Sequence, residues 1–229
     1  MSVSVRPAET QRHPGQYETQ IHVRGKEQVV ENVKKGWSSI FNTRTIAALL
    51  QRGVPIEESP CIGVAVIERI NAKNAGVCFT VYPVTGDPDK SLIEANWGIG
   101  ESIVSGRVSG DTFILDKKSL TLLEKRLGDK TFQILPNPNG IGVIEVEISP
   151  EKRNIYVLND EEAKEIVKLS MILELHFNSP QDVEWAISAD KLFPHNIYLL
   201  QTRPVVGVVV QKPKSDLEHA IDNLLKKYF

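Results

Sequence analysis

Residues 181–204 read "QDVEWAISADKLFPHNIYLLQTRP", two apolar-rich runs around a polar loop. In the first run Asp182 and Glu184 alternate with Val183 and Trp185. In the second, Gln201 and Arg203 stand two apart, following Ile197, Tyr198 and Leu199. Residues i and i+2 of a β-strand share a face. The pattern predicts two strands that each set a polar face against an apolar one, with two acids on the first and an amide and a guanidinium on the second. Two readings fit that spacing equally. One is a metal–phosphate site, because hard cations take carboxylate and amide oxygens and arginine forks onto phosphate. The other is an arginine–carboxylate pair across a sheet, which is common and contributes little.

Working outward, residue 159 or 160 (Asn159 or Asp160) caps a helix whose apolar face holds Ala163, Ile166, Val167, Met171, Ile172 and Leu175. Upstream, "TFILD", "LTLLEK", "KTFQIL", "IGVIEVEI" and "NIYVL" predict antiparallel strands from Thr112 to Val157. "CIGVAVIERI", "AGVCFTVY" and "SLIEANW" read as further strands, the first two joined by a polar turn around Asn71 to Asn74. Near the start, Val29, Val30, Val33, Trp37 and Ile40 recur at helical spacing, and a second helix follows Asn42 as N-cap and ends near Gly53. The end, "SDLEHAIDNLLKKYF", carries an apolar stripe behind the linker-like "QKPKS". The sum is an α+β chain rich in antiparallel strands, without regular βαβ alternation.

Bulk composition excludes several classes. The chain has 229 residues, 27 basic against 29 acidic, with 41% hydrophobic and 24% charged. Near-neutral charge gives no electrostatic ground for nucleic-acid or anionic-membrane binding. No run approaches the roughly 18 apolar residues that span a bilayer. The N-terminus lacks the basic start and apolar core of a signal peptide. Cytoplasmic residence is expected, with Cys61 and Cys78 as buried reduced thiols. The five histidines are scattered, which argues against a zinc site. Glycines in "GDP" and "WGIGE" fit either a phosphate cradle or a tight turn, and "EKRLGDK" fits either a polyphosphate contact or a solvated turn.

Three segments in order carry a family resemblance. "GVCFTVYPVTGDPDKSLIEANWGIGESIVSGRVSGDTF" resembles the corresponding stretch of phosphoenolpyruvate synthases and rifampicin phosphotransferases. The stretch quoted first looks like that family's "DxEWA…QxRP" signature, and "VRPAETQRHPGQYET" looks like a shortened form of its phosphate loop. The resemblance implies an ATP-grasp nucleotide-binding domain of the pyruvate phosphate dikinase type over residues 1–206, with a linker and amphipathic helix over 207–229. ATP and Mg²⁺ are the implied ligands, and a phosphoryl group would pass to a histidine on another domain. Position by position, Arg6 matches a phosphate-binding arginine, and Gly15 and Thr19 match phosphate-loop positions. Thr80 matches a threonine near the nucleotide, Glu184 and Gln201 a metal-proximal pair with Asp182 as neighbour, and Arg203 a second phosphate arginine. Arg6 and Arg203 are thereby the implied catalytic groups.

The departures are specific. The phosphate loop is shortened and carries Pro7 and Ala8 where the family has serines. Ile67 stands where the family has a hinge glutamine. The family's lysine-bearing first lobe, phosphohistidine domain and pyruvate-binding barrel have no counterpart in this sequence. The expectation is one subunit of a split enzyme, as in phenylphosphate synthase, whose partner subunits supply the lysine lobe, the phosphohistidine and the acceptor site. The alternative is a non-catalytic nucleotide-binding or regulatory module that keeps the fold without turnover.

Overall fold

A computed structural model describes residues 2–7, 19–51, 53 and 62–209. The chain forms two units, Met1–Ile70 with Pro136–Ile144, and Asn71–Leu135 with Glu145–Phe229. Gly15, Cys61 and the C-terminal amphipathic segment lie outside the described residues.

In the first unit, β1 (Val3–Pro7), β2 (Gln20–Val23) and β3 (Val64–Glu68) form an antiparallel sheet in the order β2-β1-β3. Helix α1 (Lys26–Ser38) packs on it through Gly36, where an added Cβ would lie 3.0 Å from Val64 Cγ2. That contact rotates α1 away from its apolar stripe. Asn32 and Gly36 are buried, while Val30 and Trp37, expected inside, are 48% and 52% exposed. Asn32 tolerates burial because its Nδ2 donates to the Gln28 carbonyl at 2.8 Å. A 3-10 turn, Ser39–Phe41, leads to α2 (Thr43–Gln51), and Asn42 caps it as expected, its Oδ1 accepting from the Thr45 N–H at 2.7 Å. Across the sheet Pro7 pairs with Val64 and Arg6 with Ala65. Since alternate residues change face, Arg6 and Ile67 lie on the sheet face opposite the one that Gly36 packs against.

The second unit is a six-stranded antiparallel sheet in the order β11-β10-β4-β5-β6-β7. Its strands are β4 (Ala72–Phe79), β5 (Lys90–Trp97), β6 (Asp111–Asp116), β7 (Leu122–Arg126), β10 (Gln181–Ser188) and β11 (Ile197–Pro204). Between them come α3 (Glu101–Val104), the hairpin β8 (Phe132–Pro136) with β9 (Val143–Glu147), α4 (Pro150–Arg153) and α5 (Asp160–Phe177). One sheet face is apolar. Val183, Trp185, Ile187, Cys78, Ile93, Ala95, Phe113 and Leu115 are buried in one cluster with Ala163, Ile166, Val167 and Met171 of α5. Burial within that cluster pushes the Cys78 thiol up to about 12, as an inert structural cysteine requires. Gly76 makes room for this packing, because a Cβ there would fall 2.9 Å from Trp185 Cζ2 and closer still to the Glu94 carbonyl.

Helix α5 begins with a full capping box. Asn159 Oδ1 accepts from the Glu162 N–H, and Glu162 Oε2 accepts from the Asn159 N–H, both at 2.9 Å. The helix is also pinned by an ion pair: buried Lys117 Nζ lies 2.6 Å from Glu174 Oε2 and donates to the Thr80 carbonyl at 2.6 Å. Two expectations about secondary structure are corrected. The polar turn at Asn71 to Asn74 is shorter, because Ala72 already pairs with Ser188 and Asn74 with Ile187. "NIYVL" is not a strand but a connection, exposed at Asn154 and Ile155 and buried at Val157 and Leu158, whose backbone is satisfied by side chains. The Val157 N–H donates to Asp111 Oδ2, the Val157 carbonyl accepts from Asn74 Nδ2, and the Ile155 carbonyl accepts from Lys130 Nζ. Lys130 of the "EKRLGDK" run is therefore buried and ion-paired to Asp111 rather than solvated.

Removing one partner of a buried pair strands the other charge. Lys117→Met is expected to lower unfolding stability in urea by about 3 kcal/mol, and adding Glu174→Leu to recover most of that loss. Equal stabilities for the single variant and the wild-type chain would contradict the pinning role.

Candidate functional site

The sheet face opposite α5 follows from strand register. Opposed residues share a face, so Gln201, Glu184, Val77, Glu94, Thr112 and Arg126 form one row running from β11 to β7. The next row begins Arg203, Asp182, Phe79, Leu92. The four groups singled out in β10 and β11 are thus brought together on the face that α5 does not cover. A bulge between Glu184 and Trp185 keeps Gln201 opposite Glu184 and re-registers the strands beyond it.

Asp182 and Arg203 form a close pair, with Arg203 Nε and Nη2 both 2.7 Å from Asp182 Oδ2. The other Asp182 oxygen, Oδ1, is buried without a hydrogen-bond partner, as is Gln201 Oε1. Buried oxygens are nearly always paired, and an incoming ligand or ion is one explanation of an orphan. Two orphaned oxygens on diagonal neighbours, beside the Glu184 carboxylate, fit a hard cation with its oxygen preference.

Thr80 is buried at the end of β4 and its hydroxyl is engaged. It accepts from the Gln181 N–H at 2.8 Å, while the Thr80 N–H donates to the Gln181 carbonyl at 2.9 Å. Gln181 is tied in turn to β11, its Oε1 accepting from Thr202 Oγ1 at 2.7 Å. These bonds fix the chain immediately before Asp182. Burial raises the Glu174 carboxyl, and Lys117 and Thr80 act against that rise. Arg6 and Thr19 belong to the first unit, Arg6 half-buried on β1 and Thr19 exposed just before β2.

Glu94 was missed by sequence reasoning. It sits in β5 within the same row as Glu184 and Gln201, half-buried, and burial alone pushes its carboxyl up. Among the described residues no ion pair or hydrogen bond offsets that cost, in contrast to Asp111 with Lys130, Glu174 with Lys117 and Asp182 with Arg203. The alternation Leu92, Glu94, Asn96 against Ile93, Ala95, Trp97 was the available signal, but only the register shows what Glu94 faces. Asn96 on the same face is consumed internally, donating to Ser102 Oγ and the Phe132 carbonyl.

Comparison with known proteins places these features. The family described as "Pyruvate phosphate dikinase, AMP/ATP-binding domain" matches residues 1–222. A probable phosphoenolpyruvate synthase of Archaeoglobus fulgidus is 41% identical over 204 residues, which cover 89% of this chain and 26% of that protein. The phosphoenolpyruvate synthase of Aeropyrum pernix is 35% identical, covering 83% of this chain and 26% of its own length. That of Pyrococcus furiosus is 34% identical, covering 89% and 25%. The chain belongs to the pyruvate phosphate dikinase AMP/ATP-binding family, and it spans about a quarter of the length of the curated relatives it matches. It is a phosphoenolpyruvate synthase-like ATP/AMP-binding domain, of mixed α/β structure with antiparallel sheets. Among the described residues no helix is long and apolar enough to cross a membrane.

The uncompensated burial of Glu94 has a thermodynamic sign. The folded chain holds that proton to higher pH than the unfolded chain does, so stability falls as pH rises from the ordinary carboxylate range through the raised value. Glu94→Gln is expected to raise Tm at about pH 7 and to leave it unchanged near about pH 4, where both side chains are neutral. A lower Tm at neutral pH would show that the carboxylate is compensated.

Proposed function

We propose that the chain is the ATP- and Mg²⁺-binding part of a phosphoenolpyruvate synthase-like phosphotransferase with ATP-grasp architecture. It works with a phosphohistidine domain and an acceptor site carried elsewhere, on partner subunits or further domains. The observation that carries this reading is the pair of orphaned buried oxygens, Asp182 Oδ1 and Gln201 Oε1, beside Glu184 and Arg203 on one sheet face. Glu184 and Gln201 would hold the metal, which supplies charge neutralisation to the transferring phosphate. Arg203, held in place by Asp182, keeps its remaining N–H groups for phosphate oxygens; for Arg6, on the first unit, a phosphate-binding part is what the family resemblance implies. Gly15 and Thr19 take part through the phosphate loop. Thr80 acts at one remove: its hydroxyl accepts from the Gln181 N–H and so positions Asp182. Phosphoryl transfer asks mainly for positioning and electrostatic stabilisation, which this set of groups provides.

A second reading, a nucleotide-binding or regulatory module without turnover, is favoured by one feature. Ile67, at the hinge position, offers no side-chain hydrogen bond to an adenine. The two readings separate experimentally. ATP with Mg²⁺ is expected to raise Tm of the chain, and Glu184→Ala or Arg203→Ala to abolish the rise. With a protein carrying the phosphohistidine domain present, labelled phosphate from ATP should then appear on that histidine. Binding without transfer supports the module, and a Tm insensitive to Mg²⁺-ATP contradicts both readings.

A further inference from the structure

We infer that Glu94 is the group that recognises the ribose of the bound nucleotide, accepting hydrogen bonds from the sugar hydroxyls through its carboxylate. The inference rests on the nucleotide reading of this sheet face and extends it to a residue that neither the family signature nor its spacing marks.

Three observations lead there. Glu94 is in register with Glu184 and Gln201, separated from Glu184 by Val77 alone. Neighbouring strands lie about 4.8 Å apart, so Glu94 stands roughly 10 Å along the row from Glu184. If the metal-bound phosphates occupy the Glu184–Gln201 end, that interval corresponds to the distance from the outer phosphates to the sugar in an extended nucleoside triphosphate. Second, Glu94 is desolvated with no partner among the described residues to offset it, which is the state of a carboxylate kept for an incoming donor. Third, a sugar is a closer match than a cation, because Val77 separates Glu94 from the nearest carboxylate of its row, Glu184, so no second acid stands beside it there to share an ion. A vicinal diol presents two adjacent donors, and an ionised carboxylate has two acceptor oxygens to receive them. The neighbours along β5 do not compete for this role, since Leu92 is apolar and the Asn96 amide is already spent.

The test compares ATP with 2′-deoxyATP, each with Mg²⁺, by calorimetric titration of the full chain. The wild-type chain is expected to bind ATP about tenfold more tightly than the deoxy form, the worth of a hydrogen bond to a charged group. Glu94→Gln should weaken ATP while sparing 2′-deoxyATP, bringing the ratio close to one. Glu94→Asp keeps the charge but retracts it by one methylene, and should give an intermediate ratio. Glu184→Ala should weaken both nucleotides together. Equal affinities for the two nucleotides in the wild-type chain, or an undiminished ratio in Glu94→Gln, would overturn the assignment while leaving nucleotide binding intact. Failure of the wild-type chain to bind either nucleotide would overturn the nucleotide reading, and this assignment with it.

Discussion

The strand Gln181–Ser188 is constrained from both sides, and the second unit depends on how it satisfies that constraint. Val183, Trp185 and Ile187 are buried against α5, so the intervening Asp182 and Glu184 have one direction left. A strand has period two, and a slip of one residue would place both carboxylates in the core and Trp185 outside. The cost of burying two unpaired acids makes that alternative inaccessible. Packing on one face thereby fixes the chemistry on the other. Register then carries the choice across the sheet, bringing Gln201 and Arg203 from one neighbour and, through Val77, Glu94 from the strand beyond the other.

The polar face is steadied from beneath by groups that never reach it. Lys117 joins the end of β4 to α5 through the Thr80 carbonyl and Glu174, and the Thr80 hydroxyl holds the backbone of Gln181. Gln181 extends the link to Thr202 on β11. The residues following these anchors on the two strands are Asp182 and Arg203, which form their own ion pair. A chain of buried, satisfied bonds therefore ends at the two orphaned oxygens. Other buried atoms are orphaned too, among them Trp185 Nε1 and Ser91 Oγ, but Asp182 Oδ1 and Gln201 Oε1 stand on neighbouring strands beside a further carboxylate, Glu184.

Much of this was legible in the sequence. The i and i+2 spacing of Asp182 with Glu184 and of Gln201 with Arg203 placed each pair on one face, and Asn159 and Asn42 announced their helices. The failures have physical causes. The stripe of α1 misled because a glycine, Gly36, made the closest approach to the sheet and outweighed the hydrophobic periodicity. "NIYVL" looked like a strand because of its apolar run, yet only Val157 and Leu158 are buried and its backbone bonds go to the side chains of Asp111, Asn74 and Lys130, which lie far off in sequence. The bond from the Gln181 N–H to the Thr80 hydroxyl is a tertiary fact that the sequence does not carry. Glu94 was invisible for a similar reason: its alternation could be read, but its alignment with Glu184 exists only once β4 lies between them.

The central claim is that one face of this sheet, the one away from α5, receives a metal–nucleotide. Paramagnetic broadening of backbone amide signals by Mn²⁺-ATP tests it directly, since relaxation falls steeply with distance from the ion. The account predicts that signals of residues around Glu184 and Gln201 broaden first, those around Glu94 later, and those of the buried side of α5, from Ala163 to Met171, least of all. Broadening centred on α5, or none anywhere at saturating nucleotide, would contradict it.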